Sequence, residues 1–158
     1  MPEILSLDIQ NKQPTRPNTS FVGESGERIA AEFLENQGFR LVLSNFKVPV
    51  GRNSRDAIVT GEIDLIALDG NTICFVEVKT RSSDDFASPL AAVDLRKQRQ
   101  ITRTARVYRK IFNLHGARFR YDVVSIILTN GKEPRIELFK NFWTEAKFRK
   151  KSWIEEIR

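Results

Sequence analysis

The chain has 158 residues, 41% hydrophobic and 29% charged, enough for one domain that buries about 68–70% of its unfolded surface, and no apolar run approaches the ~18 residues of a membrane helix. Its single cysteine, Cys74, excludes an internal disulfide and fits a reducing cytoplasm, and one histidine with one cysteine excludes a zinc site built from those two types. The net charge of +6 hides an asymmetry: residues 1–79 hold 8 basic and 11 acidic side chains, residues 80–158 hold 18 and 9, so an acidic half is joined to a strongly basic one suited to polyanions.

Residues 1–20 are polar, contain Pro14 and Pro17 and lack an apolar period. They read as a flexible tail, and without a basic start and a following apolar block they do not read as a signal peptide. A helix is predicted from about Gly23 to Gln37, stopped at Gly38, with Val22, Ile29, Ala30, Phe33 and Leu34 on one side. Arg40–Val48 reads as a strand and Pro49–Arg55 as a loop. Two β runs follow, Ile58–Leu68 and Thr72–Thr80, joined by the hairpin signal Asp69-Gly70-Asn71. After a loop over Ser82–Pro89, a long helix is predicted from about Leu90 to Asn113. Residues 120–128 and Arg135–Lys140 read as strands, and Lys140–Arg158 as a basic, aromatic, helical tail. The order α-β-β-β-α-β-β predicts an α/β domain over 21–140, a mixed sheet flanked by helices, with an extension over 141–158.

Chemistry concentrates in the second and third strands. Side chains alternate along a strand, so Glu62 and Asp64 share one face, as do Glu77 and Lys79. A two-residue loop at Asp69-Gly70 sets Glu62 opposite Glu77, with Asp64 diagonal to it. A four-residue loop, Asp69–Thr72, sets Asp64 opposite Glu77 and Glu62 opposite Lys79. Both registers gather Asp64, Glu77 and Lys79 on one surface, whereas a three-residue loop separates them. Clustered carboxylates on a half-buried strand need compensation. A Mg²⁺ ion provides it through one or two carboxylates, and Lys79 beside it would hold a water that attacks phosphorus. The bland alternative is a surface ion pair worth about 0–1 kcal/mol.

On the first helix, Glu27 lies at the edge of the apolar face, placed either to lean over the sheet or to reach solvent. On the long helix, Ile101, Ala105, Tyr108 and Phe112 form a core stripe. Arg96, Arg99, Arg103, Arg106 and Lys110 form a basic stripe on another face, suited to phosphates. Lys97 stands apart from that stripe, in line with Ile101, and points toward the sheet. Cys74 faces away from Glu77 and reads as core. His115 is a loop residue, and Gly23-Glu24-Ser25-Gly26 lacks P-loop spacing. Trp143, Phe148 and Trp153 among Lys147, Arg149, Lys150 and Lys151 suit packing against the domain better than stacking on bases or docking on a membrane surface.

Gly26-Glu27 with Ala30 and Leu34, Asn45, Gly61-Glu62-Ile63-Asp64-Leu65-Ile66, and Phe75-Val76-Glu77-Val78-Lys79-Thr80-Arg81 together resemble the YraN family of bacterial proteins. Lys97, Ala105 and Arg120-Tyr121-Asp122-Val123-Val124 continue the likeness, which spans residues 21–128. That family is similar to archaeal Holliday-junction resolvases, within the PD-(D/E)XK nuclease superfamily and its restriction-endonuclease-like αβββαβ core. The resemblance implies that Asp64, Glu77 and Lys79 are the superfamily's catalytic motif and that Glu27 is its helix-one glutamate. It implies Mg²⁺ or Mn²⁺ held by Asp64 and Glu77, with Glu27 at the metal's edge, and hydrolysis of phosphodiesters in DNA, branched or damaged DNA included. Arg81, Arg96, Lys97, Arg99, Arg103 and Arg106 are then the expected nucleic-acid contacts, and a homodimer is expected as in the resolvases. A non-cleaving nucleic-acid-binding module with the same fold is the alternative, and a basic adaptor for other proteins a third. The segment from Phe46 to Gly61 is longer than the family's usual link and is expected as an added loop beside the site.

Overall fold

In the computed structural model, residues 22–82 and 93–149 are described. The 1–20 tail, the loop and expected helix start through Leu90, and Lys150, Lys151 and Trp153 lie outside them. The order is α1 (Val22–Asn36), β1 (Arg40–Arg52), β2 (Ile58–Asp69), β3 (Thr72–Ser82), α2 (Leu95–Ile111), β4 (Arg118–Leu128) and β5 (Arg135–Trp143), then a short 3-10 turn at Glu145–Phe148. The strands form one sheet in sequential order, β1 to β5. Only β3 and β4 run parallel; the other neighbours are antiparallel. This is the mixed α/β arrangement that the hydrophobic pattern predicts.

The helices cover opposite faces. Ala30 and Leu34 of α1 pack with Leu65, Ala67, Cys74, Val76, Val124 and Ile126. Ile101, Ala105 and Tyr108 of α2 pack with Ile66, Leu68, Phe75, Tyr121 and Trp143 on the other side. Tyr108 is the hub there, edge-on to Phe46 and Phe75 with centroids 5.2 and 5.7 Å away. Cys74 is fully buried on the α1 side, which pushes its thiol up to about 12.

Three elements differ from their sequence-based expectation. β1 does not stop at Val48 but runs through Pro49 to Arg52. Among the described residues it is an edge strand, where a proline costs no ladder bond on the open side, and Arg103 Nη2 donates to Val50 O at 2.7 Å to hold it down. The segment expected as an added loop is therefore a longer β1–β2 hairpin, closed where Asn53 Oδ1 accepts the N–H groups of Arg55 and Ala57. α2 begins at Leu95 and leaves residues 93 and 94 outside the helix, because extended Asp94 caps it by accepting the Lys97 N–H at 2.9 Å. Residues 140–143 continue β5 rather than open a helix. Buried Asp122 accepts the Asn141 N–H, and Trp143 stacks on Tyr121 at 4.8 Å while its indole N–H donates to Thr102 Oγ1.

Gly61 sets how closely α2 approaches β2. A Cβ there would fall inside contact distance of Thr104 Oγ1 and lie 2.8 Å from Val50 Cγ1. Gly61→Ala is therefore expected to lower stability by about 1–3 kcal/mol, the usual cost of overpacking, in urea unfolding. Gly116→Ala, which meets nothing within 4 Å, is the control expected to leave it unchanged.

Candidate active site

The β2–β3 hairpin closes on the Asp69·Thr72 pair, with Gly70 and Asn71 at the turn. That register sets Asp64 opposite Glu77, the second of the alternatives open to the sequence. The ladder runs only from Asp69·Thr72 to Leu65·Val76, and beyond it the strands part. At that fork the Val78 N–H donates to Asp64 Oδ2 at 2.8 Å. The other side of β2 is irregular at the same point. The β1–β2 pairing skips Asn45·Asp64, and Asn45 is left-handed with φ 52°. Ile63 packs with the α2-side core and Leu65 with the α1-side core. Asp64 thus sits where β2 is paired regularly to neither neighbour, and its carboxylate is free to turn into the fork.

Glu77 is the buried member of the pair, only 3% exposed. One oxygen, Oε1, lies 3.6 Å from both Lys79 Nζ and Lys97 Nζ. The other, Oε2, is buried with no hydrogen-bond partner. Burial and then the facing Asp64 charge push the Glu77 carboxyl up to about 7, against the pull of Lys97 and Lys79. A buried carboxylate oxygen left without a donor is costly in a folded protein. Two opposed carboxylates, one with an orphaned oxygen, present the all-oxygen donor chemistry that a hard divalent cation takes. Among the described residues, no cluster of three or more His, Cys, Asp or Glu side chains forms a metal-binding group; Asp64 and Glu77 are the two carboxyl groups that face each other here.

The remaining predicted residues fall in different places. Glu27 is half-buried on α1, the helix of the opposite face; its neighbour Gly26 presses on Thr80, the residue after Lys79. Lys97 reaches Glu77 across the sheet–helix gap, as its position in line with Ile101 predicts. Arg81 lies half-buried near the end of β3. Arg96 and Arg99 are exposed on the first turns of α2, with the Arg99 guanidinium 5.7 Å from the Phe148 ring. Arg103 is engaged with Val50, and Arg106 and Arg109 both pair with Glu145. The basic stripe therefore divides into an exposed N-terminal part, Arg96 and Arg99, and a C-terminal part in which Arg103 fastens β1 and Arg106 the 3-10 turn. The Val78 amide and the Asn45 kink were not found from the sequence; an asparagine opposite an acidic strand residue is the one signal that points to the kink.

A mixed α/β sheet flanked by helices, with opposed carboxylates and lysines where two central strands part, is consistent with a restriction-endonuclease-like core. The profile of the "Uncharacterised protein family UPF0102" matches residues 26–126, and the chain belongs to this family, the YraN family. It is 41% identical to a UPF0102 protein of Paenarthrobacter aurescens, over 73% of this chain and 88% of the relative. It is 40% identical to one from Chlorobium chlorochromatii, over 82% of this chain and 97% of the relative. Among solved structures, the crystal structure of SSO0001 aligns at TM-score 0.36 and 15% identity, over 79% of this chain and about half (52%) of that one, a likeness too slight to bear on fold or function.

The raised Glu77 carboxyl carries a stability consequence. Between pH 4.5, its ordinary value, and about 7, the folded state holds a proton there that the unfolded state has released. Stability from this group is therefore full below 4.5 and is lost as pH rises through 7. Glu77→Gln is expected to be stabilised relative to wild type by a margin that grows from pH 4.5 to 8, reaching a few kcal/mol at most given about 1.4 kcal/mol per unit. Urea midpoints measured in parallel test this, and a pH-independent margin would contradict it.

Proposed function

We propose that the protein is a metal-dependent endonuclease-like hydrolase of DNA phosphodiester bonds. The observation that carries the reading is the opposition of Asp64 to buried Glu77, whose Oε2 has no partner while Lys79 stands 3.6 Å from Oε1. Asp64 and Glu77 would hold Mg²⁺ or Mn²⁺, which supplies Lewis-acid stabilisation of charge on the phosphate and leaving oxygen. The chain's own groups do the rest. The Val78 N–H fixes the Asp64 carboxylate so that its direction costs nothing to set during the reaction. Lys79, about one-third exposed at 32%, is placed to orient the attacking water and to remain close to the developing negative charge. Exposed Arg96 and Arg99 lie on the same end of α2 as Lys97 and suit backbone phosphates. Branched or damaged DNA is the substrate class that the resolvase resemblance suggests, with Glu27 assisting from α1 and a homodimer as the acting form.

The test is cleavage of labelled duplex, single-stranded and four-way-junction DNA with Mg²⁺ or Mn²⁺. Wild-type activity is expected to vanish in EDTA and to fall on the order of 100-fold or more in Asp64→Asn and Lys79→Ala. Absence of wild-type cleavage on every substrate, with binding that weakens as salt rises, would replace this reading with that of a non-cleaving nucleic-acid-binding module. Loss of both would leave neither.

A further inference from the structure

Two ammonium groups from different elements converge on one carboxylate oxygen. Lys79 arrives from β3 itself. Lys97 arrives from the first turn of α2, and that turn is held firmly. Its own N–H is bonded to Asp94 Oδ1, and the following residue, buried Gln98, donates to Val93 O at 2.9 Å and accepts from Lys147 Nζ at 3.0 Å. Lys97 is one-third exposed (33%), so its head group reaches Glu77 from a position open to solvent.

With both carboxyls ionised, Asp64 and Glu77 contribute two negative charges, and Lys79 and Lys97 two positive ones. The metal-free site is formally neutral. One divalent cation would leave it two positive, and a second would leave it four positive with only two carboxylates to share. A phosphodiester brings the missing negative charge. Resting on the metal-site reading above, we propose that Lys97 is a positioning residue acting as the removable counter-ion of Glu77. It holds the carboxylate in the metal-free protein, competes with a single divalent cation for it, and once displaced turns its ammonium group to the phosphodiester. Cation and nucleic acid then bind weakly apart and strongly together, a reciprocal coupling between the two.

The experiment is Mn²⁺ titration followed by electron paramagnetic resonance of the free ion, with and without a short DNA duplex. Wild type, Lys97→Met, Lys97→Arg and Glu77→Gln are compared, and circular dichroism verifies folding. In wild type, DNA is expected to tighten Mn²⁺ binding about 10-fold or more, within the usual range of such couplings. Lys97→Met is expected to bind Mn²⁺ alone several-fold more tightly than wild type and to lose most of the DNA effect. Lys97→Arg should behave as wild type, and Glu77→Gln should not bind the ion. Lys97→Gln replaces the methionine variant if that one does not fold. Unchanged or weaker Mn²⁺ binding in Lys97→Met, or an undiminished DNA effect, overturns the proposal while leaving the metal site standing, provided Glu77→Gln still abolishes binding. No Mn²⁺ binding by wild type, or binding that survives Glu77→Gln, overturns the metal reading and the Lys97 proposal with it.

Discussion

The Gly70-Asn71 turn holds β2 and β3 in one register, and the site depends on that phase. Side chains repeat every second residue along a strand, so a slip of one position would carry Asp64 to the α1 face while Glu77 and Lys79 stayed on the other. The same slip would exchange Ile66 and Leu68 with Leu65 and Ala67, so that each half of the core would receive side chains of the wrong volume. Core packing and site assembly therefore enforce a single register, and the energetic weight lies with the core. Buried aliphatic residues on both faces hold the hairpin in place, and the polar fork at its open end is carried along.

That fork is a local deficit of hydrogen bonds. The ladder stops at Leu65·Val76 and the β1–β2 pairing skips Asn45·Asp64, so both edges of β2 lose regular partners at one residue. Asp64 satisfies one of the freed amides, and the lysines partly neutralise Glu77. What stays unsatisfied is the buried Oε2. Local strain and an orphaned acceptor are features that a stability-optimised sheet would not retain, and they cluster at the point where chemistry is proposed.

Much of this was legible in the residues. The Asp-Gly-Asn signal marked the hairpin, strand alternation put Asp64, Glu77 and Lys79 on one surface in two of the three registers it left open, and helical periodicity separated Lys97 from the arginine stripe. The elements that could not be read depend on distant partners. β1 persists past Pro49 because it lies at the sheet edge and meets Arg103, 53 residues away from Val50. Arg106 looked like an open phosphate contact, yet its partner is Glu145, 39 residues further on. The residues 140–143 looked helical, but the stacking surface of Tyr121 and the Asp122 carboxylate draw them into β5. Periodicity reports which face is apolar; it carries no information about which exposed charge finds an intramolecular mate.

The broken course of β1 also bears on how copies of this protein can meet. Its outer edge is interrupted by register shifts near Val42 and Val50, by left-handed Asn45 and by Pro49, which has no N–H to offer. Such a rim is a poor template for a further strand and disfavours sheet-to-sheet pairing through this side. The regular stretch of β5 around Ile136–Phe139 is the rim where an added strand would find an unbroken row of partners.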